Sequence, residues 1–169
     1  ITFFVDEQSR PPVTSWSSPD KNVADVVAVP TKRPLICKGK PCGDLWHKVR
    51  LSFKYVFEHH IDKADWFVKL DTDTFLFPDE VKSFVGRIGG LASNPHWFGH
   101  PVHHVQPSVH SGAMYFFNRA AMQMVAPVMG GPACPDEKID MEDQAFGHCM
   151  LSVGILPEET IDEKGKEQT

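Results

Sequence analysis

Residues 66–78 read WFVKLDTDTFLFP, an apolar run that passes without a glycine or proline break into two carboxylates and then resumes. This pattern predicts a buried strand whose end carries Asp71 and Asp73. Two carboxylates placed so close together repel each other unless a cation lies between them, and a hard divalent ion with oxygen ligands supplies that charge. We therefore interpret Asp71 and Asp73 as a metal site, although a D-x-D triplet taken alone favours a solvated turn.

A second acidic segment lies at residues 140–150, which read DMEDQAFGHCM. Glu142 and Asp143 fall where a helix would begin, and acids in a first turn are stabilised by the helix dipole, which is a sufficient structural explanation. The functional alternative is a carboxylate that stays ionised and accepts a proton from an attacking hydroxyl. Because adjacent helical residues point apart, we expect at most one of the two to act as a base.

The two segments together carry a family resemblance. Residues 66–77 resemble the D-W-F-x-K-x-D-D-D-T-Y-V segment of the inverting β1,3-glycosyltransferases of family 31, and residues 142–150 reproduce the family's E-D-x-x-x-G-x-C-M. The core 1 β1,3-galactosyltransferases are the most similar branch. Thr72 replaces the middle acid of the family motif and leaves the outer two in place. The resemblance implies an α/β fold of the GT-A type, Rossmann-like, with a mostly parallel sheet flanked by helices.

The resemblance also implies a role for each matching residue. Asp71 and Asp73 would hold Mn²⁺ or another divalent cation, and Asp143 would be the catalytic base. Residues 110–114, HSGAM, replace a family element that is richer in glycine and lies beside the donor sugar. The nucleotide and donor candidates are Lys48, Asp71, Thr72, Gly112 and Ala113, with Glu142, Tyr115 and Trp66 as secondary candidates.

The reaction implied is the transfer of galactose, with inversion, from UDP-galactose to the 3-hydroxyl of a GalNAc-type acceptor on a glycoprotein, as in core 1 O-glycan synthesis. A fringe-like β1,3-N-acetylglucosaminyltransferase and a non-catalytic, chaperone-like relative are the alternatives. The family further implies a place in the Golgi lumen, with a type II membrane anchor outside this chain. A homodimer is left open.

Composition agrees with one globular domain over residues 1–169, of which 41% are hydrophobic. The formal net charge of -5 provides no basic field for a nucleic acid polymer. Residues 1–5, ITFFV, already read as a strand, with no strand and loop before them. We therefore expect a partial catalytic domain that lacks the family's first strand and, after residue 169, an F-H-P-F element whose histidine completes the metal shell.

The four cysteines allow three pairings if all are oxidised. Nine histidines make a zinc site conceivable, but zinc-ligand spacing is absent, so two disulfides formed in an oxidising lumen are favoured. The resemblance supports a bond between Cys134 and Cys149. A bond between Cys37 and Cys42 rests only on their proximity in sequence.

Hydrophobic periodicity and capping signals predict the remaining elements. We expect strands at residues 23–29 and 97–99, and a tight turn leading into a strand at residues 110–118. Helices are expected at residues 44–64, from Pro78 onward, and at residues 119–125 after an Asn118 N-cap. The clustered histidines of the intervening segment are consistent either with metal ligands or with a mobile loop at the rim of an active site, on the side of the acceptor: His96, His100, His103, His104 and His110.

Overall fold

The computed structural model describes residues 2–6, 25–29, 36–37, 40–41, 45–71, 73–88, 93–102, 108–134 and 141–161. Its elements form a mixed α/β structure. In chain order they are β1 (Thr2–Asp6), β2 (Asp25–Val29), β3 (Ile36–Cys37), β4 (Lys40–Pro41), α1 (Leu45–His60), β5 (Trp66–Leu70), α2 (Pro78–Arg87), β6 (Trp97–Val102), β7 (Val109–Asn118), α3 (Arg119–Val125), α4 (Glu142–Ser152) and β8 (Glu158–Glu159).

The four-stranded sheet has the order β5-β7-β6-β8. Strand β7 runs antiparallel to both β5 and β6, while β6 and β8 are parallel, as are β1 and β2 in a separate pair. The mostly parallel sheet that we expected is therefore wrong for this part of the chain. The physical reason is that β5, α2 and β6 form a crossover between two strands of the same direction, and β7 returns into the gap between them.

One face of this sheet packs against α1, α3 and α4, and we call it the α4 face. Its core is aromatic: the ring of Phe146 lies 4.9 Å from Phe53 and 4.9 Å from Tyr115 between centroids. Val49 and Phe53 of α1 are buried here, as predicted. Leu45 is exposed instead, and the buried Trp46 fills the first turn of the helix.

The opposite face, which we call the α2 face, has a thinner cover. Its buried cluster is Phe84, Phe98 and Phe116. Phe84 meets the other two rings edge-on, with centroids 5.2 Å and 5.7 Å away. Because neighbouring strand residues point to opposite faces, Phe116 packs here while Tyr115 and Phe117 pack on the α4 face.

Strand β5 is less buried than its composition predicted. Within the described residues it is the end strand of its sheet, and Val68 and Leu70 remain partly exposed. The apolar run that follows is also not a strand, because the chain turns into α2 at Pro78. Phe75 is 79% exposed and Phe77 is 65% exposed.

Local signals placed the helices well. Helix α3 has the predicted bounds, and the Asn118 side chain accepts a hydrogen bond from the backbone N–H of Ala121 at 3.0 Å. Helix α1 is shorter than expected. The strand expected within residues 110–118 is present, but the tight turn expected at its start is wrong, since β7 already begins at Val109.

The predicted disulfide between Cys134 and Cys149 is present and ties α4 to the loop that follows α3. The other predicted pair, Cys37 and Cys42, falls outside the described side chains. In the part of the chain that the structure describes, no helix is long and apolar enough to cross a membrane.

Candidate active site

The end of β5 is fastened to the first half of β7. The backbone N–H of Asp71 donates to the carbonyl of Ala113 at 3.0 Å, and the Thr74 hydroxyl donates to the same carbonyl at 3.1 Å. One carbonyl of β7 therefore holds both ends of the short acidic loop that contains Asp73.

Lys69 links this loop to helix α4. Its side chain is only 11% exposed, and its ammonium lies 2.6 Å from Asp71 Oδ1 and 2.8 Å from Glu142 Oε1. The ammonium also donates to the carbonyl of Gly112 and lies over the ring of Tyr115. A single buried cation thus connects β5, β7 and the start of α4.

The charges in this cluster support one another. Burial by itself lowers the pKa of Lys69, but the Glu142 and Asp71 carboxylates outweigh burial and raise that pKa above its usual value. Burial raises the pKa of Glu142, an effect that Lys69 opposes. Because two carboxylates contact its ammonium, Lys69 is protonated, and it forms an ion pair with Glu142. Burial and Glu142 raise the pKa of Tyr115 well above 10, so its neutral hydroxyl donates to Glu142 Oε2 at 3.3 Å.

Asp143 differs from its neighbour Glu142. Glu142 is 4% exposed and engaged by Lys69 and Tyr115, whereas Asp143 is only half-buried. The Asp143 carboxylate accepts from the backbone N–H of Gly112 at 3.3 Å and from that of Gln144 at 2.8 Å. Asp143 is thus the carboxylate that is both oriented by the fold and accessible from outside.

Gly112 is needed for this close approach. A Cβ at that position would lie 2.7 Å from Glu142 Oε1 and 3.5 Å from the Cβ of Asp143. Real Cβ atoms do not come that close to an oxygen, so a larger residue would displace the Glu142 carboxylate from this position. The glycine therefore leaves room for the Glu142 carboxylate beside β7.

The structure brings together most of the residues that the sequence singled out. Those within the cluster are Asp71, Gly112, Ala113, Tyr115, Glu142 and Asp143, with Asp73 exposed in the adjoining loop. Trp66 is not among them, because its ring packs against Phe98 and Phe116 on the α2 face. Lys48 is half-buried on α1, and its nucleotide role stays a prediction. Thr72 lies outside the described residues.

Lys69 is the residue to which sequence reasoning gave no role. The signal was present, since a lysine interrupts an otherwise apolar strand two residues before Asp71 and so shares its face. What the sequence does not show is that this face is covered by α4.

The histidine-rich segment differs from the mobile loop that we expected. His110 is fully buried, its Nε2 lies 3.1 Å from the carbonyl of Trp97, and burial lowers its pKa to about 4. His96 is half-buried and pairs with Glu158 at 3.0 Å. His100 is exposed at a cavity wall. His103 and His104 lie outside the described residues.

The carboxylates fit a metal that shares its coordination with a substrate. Across the described ranges, no group of three or more His, Cys, Asp or Glu side chains could enclose an ion. Asp71 and Asp73 are both exposed and offer hard oxygen ligands. Ions of the Mg²⁺ type are commonly held by one or two carboxylates, with water and substrate phosphates completing the shell. The donor set suits such an open site rather than a closed structural one.

Comparison with known proteins relates this chain to the glycosyltransferases. One match is glycoprotein-N-acetylgalactosamine 3-beta-galactosyltransferase 1 of Xenopus laevis, to which the chain is 25% identical over 124 residues. The aligned part covers 72% of this chain and 33% of the relative. The chain therefore spans about a third of the length of the curated relative it matches. No family model matches the chain.

Proposed function

We propose that the chain carries the active site of a metal-dependent, inverting β1,3-glycosyltransferase of the GT-A type, a member of family 31. The substrates would be UDP-galactose and the 3-hydroxyl of an N-acetylgalactosamine on a glycoprotein. The observation that carries this proposal is the convergence of the Asp71 strand end, the Gly112 backbone and the Asp143 carboxylate. The relative from Xenopus laevis supports the transferase class.

Asp71 and Asp73 would hold the divalent cation, Mn²⁺ in the first instance. When bound, such an ion neutralises charge on a departing diphosphate. Lys69 holds one oxygen of the Asp71 carboxylate and places a positive charge beside it. In this proposal the nucleotide would bind at the end of β5.

Asp143 would be the base. Glu142 is poorly placed to act as the base, because its carboxylate is buried and its oxygens already contact Lys69 and Tyr115. The acceptor oxygen attacks the anomeric carbon from the face opposite the diphosphate, and the proton of the attacking hydroxyl moves to an Asp143 carboxylate oxygen. The new glycosidic C–O bond forms as the bond to the phosphate oxygen breaks, which inverts the configuration.

The test is Asp143→Asn in the full-length protein. Asparagine keeps the shape and an oxygen that accepts from the Gly112 N–H, but it is not a base. We expect the rate of galactose transfer to fall by about 10²–10⁴-fold, with binding of UDP and Mn²⁺ retained. Steady-state kinetics and calorimetric titration measure the two properties.

The matched control is Asp79→Asn on α2, since that carboxylate is 98% exposed and lies outside the proposed site. It should transfer galactose at the wild-type rate. A near-normal rate in Asp143→Asn would remove Asp143 from the mechanism. Chelation by EDTA should abolish transfer, and added Mn²⁺ should restore it.

A panel of UDP-sugars tests the donor. Preference for UDP-N-acetylglucosamine would favour a fringe-like enzyme, and failure to transfer or hydrolyse any donor would favour a chaperone-like relative. The single-domain organisation and the Golgi location, through an anchor outside this chain, belong to the same proposal.

A further inference from the structure

A cavity of about 550 Å³ opens on the α2 face, and Lys69 and Glu142 are not among the described residues that line it. Its walls come from residues 74–77, from α2 and from residues 111–116 of β7, with His100 and Thr160. Small-molecule sites typically measure about 300–1,000 Å³ and are lined mainly by apolar groups with a few polar ones. By size and lining, the cavity has the properties of a ligand site, and the proposed base and metal ligands are not among the described residues that line it.

The cavity adjoins the candidate active site through one segment of β7. Ala113 and Thr74 both line it, and the Ala113 carbonyl accepts from Thr74 and from the Asp71 N–H. The next residue, Gly112, donates to Asp143. A ligand in the cavity would therefore lie against the strand segment that contacts both Asp71, a proposed metal ligand, and Asp143, the proposed base.

Two exposed aromatic rings form the outer wall. Phe75 and Phe77 are 79% and 65% exposed, and their rings contact each other edge-on with centroids 5.0 Å apart. Large apolar side chains exposed together beside a functional loop indicate a binding surface. The contact between the two rings fixes their orientation, so that a flat apolar partner can stack on them.

The charge of the described lining disfavours a phosphate ligand. Its ionisable side chains are Glu80 and His100, accompanied by hydroxyls such as that of Ser111. Neither Lys nor Arg occurs among the described residues that line the cavity, whereas a diphosphate is normally met by such cations. A sugar ring fits better, because its C–H face stacks on aromatic rings while its hydroxyls bond to carboxylate and hydroxyl groups.

We propose that this cavity binds the neutral sugar of the acceptor, with Phe75 and Phe77 as the stacking wall and Glu80 as a hydrogen-bond partner. The inference rests on the proposed function, since it assumes that the nucleotide binds at the end of β5. It deepens that function by separating a cationic donor site from a neutral, aromatic acceptor site.

The experiment uses Phe75→Ala and Phe77→Ala in the full-length protein, with methyl α-N-acetylgalactosaminide as the probe. Saturation-transfer NMR measures the Kd of the probe, and kinetics measure KM for each substrate. We expect the probe Kd and the KM for the acceptor to rise about tenfold, and the KM for UDP-galactose to stay within about twofold.

Met124→Ala on α3 is the matched control, because it removes an exposed apolar side chain that does not line the cavity. This control should leave the probe Kd and both KM values unchanged. Glu80→Gln is a second variant at an exposed position, and it should weaken the probe without removing an aromatic ring.

Unchanged probe binding in both phenylalanine variants would overturn the inference. So would an equal loss of UDP affinity, because the nucleotide would then occupy the cavity. Failure of the proposed function looks different: the wild-type protein would bind the probe through Phe77 and yet transfer no galactose, and the sugar site would stand.

Discussion

The α4 face and the α2 face of the same sheet are built in different ways. The α4 face is covered by three helices and contains a continuous aromatic core that encloses a charged pair. The α2 face is covered by one described helix, buries three phenylalanines and leaves a cavity open. Dense packing fixes positions, whereas thin packing leaves space for a ligand. We infer that one face positions the reacting carboxylates and the other receives a substrate.

The buried pair of Lys69 and Glu142 is the clearest sign of this difference. Removing two charges from water costs more than their attraction commonly returns, and an apolar pair of similar volume is often at least as stable. Its benefit here is geometric, because Lys69 contacts groups on β5, β7 and α4. Stability alone does not account for it.

Lys69→Met breaks this arrangement and should have the largest effect. It leaves Glu142 buried without a cation, and loss of one partner of a buried pair costs about 3–5 kcal/mol in the free energy of unfolding. Urea denaturation measures the loss. Lys82→Met is the control, because Lys82 is exposed and 3.7 Å from Asp79, so its change should stay within about 0.5 kcal/mol.

The double variant Lys69→Met with Glu142→Gln identifies the cause. It removes the uncompensated charge, so it should be more stable than Lys69→Met alone. If the double variant is less stable by the full sum of the two single losses, burial of an unpaired carboxylate is not the reason for the destabilisation.

Much of the fold was predictable because its signals are local. Pro78 with two following acids marks the start of α2, and the Asn118 cap marks the start of α3. The pairing of β7 between β5 and β6 was not predictable, because it depends on contacts between distant segments. Periodicity in one strand does not identify its neighbours.

The candidate site divides in the same way. The acids at residues 71, 73 and 143 follow from motif and resemblance, and the structure places two of them around one segment of β7. The role of Lys69 depends on which helix covers its strand. The burial of His110 depends on the pairing of β7 with β6, and the polar residues beside it in sequence give no sign of that pairing.

Lowering the pH is a further test of the comparison, because it titrates His110, which is buried where β6 and β7 meet. Its pKa is about 4 in the folded protein against 6.5 for an ordinary histidine. The unfolded chain binds the proton first as pH falls, so this stabilising contribution is complete above pH 6.5 and is lost toward pH 4. The loss amounts to about 3 kcal/mol at most.

His110→Gln removes this titration and keeps an amide that can donate to the carbonyl of Trp97. The difference in unfolding free energy between wild type and variant should shrink between pH 6.5 and pH 4. A difference that does not vary over this range would show that folding does not lower the pKa of His110.

A matched pair of glycine-to-alanine changes tests the packing of α4 against an exposed position of α2 with the smallest perturbation. A Cβ at Gly147 of α4 would lie 2.8 Å from the Cβ of Val109 and 3.4 Å from the Trp97 ring. Overpacking of this kind costs about 1–3 kcal/mol. A Cβ at Gly86 of α2 would meet nothing within 4 Å, and alanine there should stabilise the helix by about 0.5–1 kcal/mol.

The two variants make the same chemical change in a helix and differ only in what the new methyl group meets, so opposite signs would isolate packing as the cause. Denaturation of both proteins under one set of conditions measures them. Equal destabilisation would mean that contacts with Val109 and Trp97 are not what makes alanine costly at Gly147, and the close packing of α4 on the sheet would lose this support.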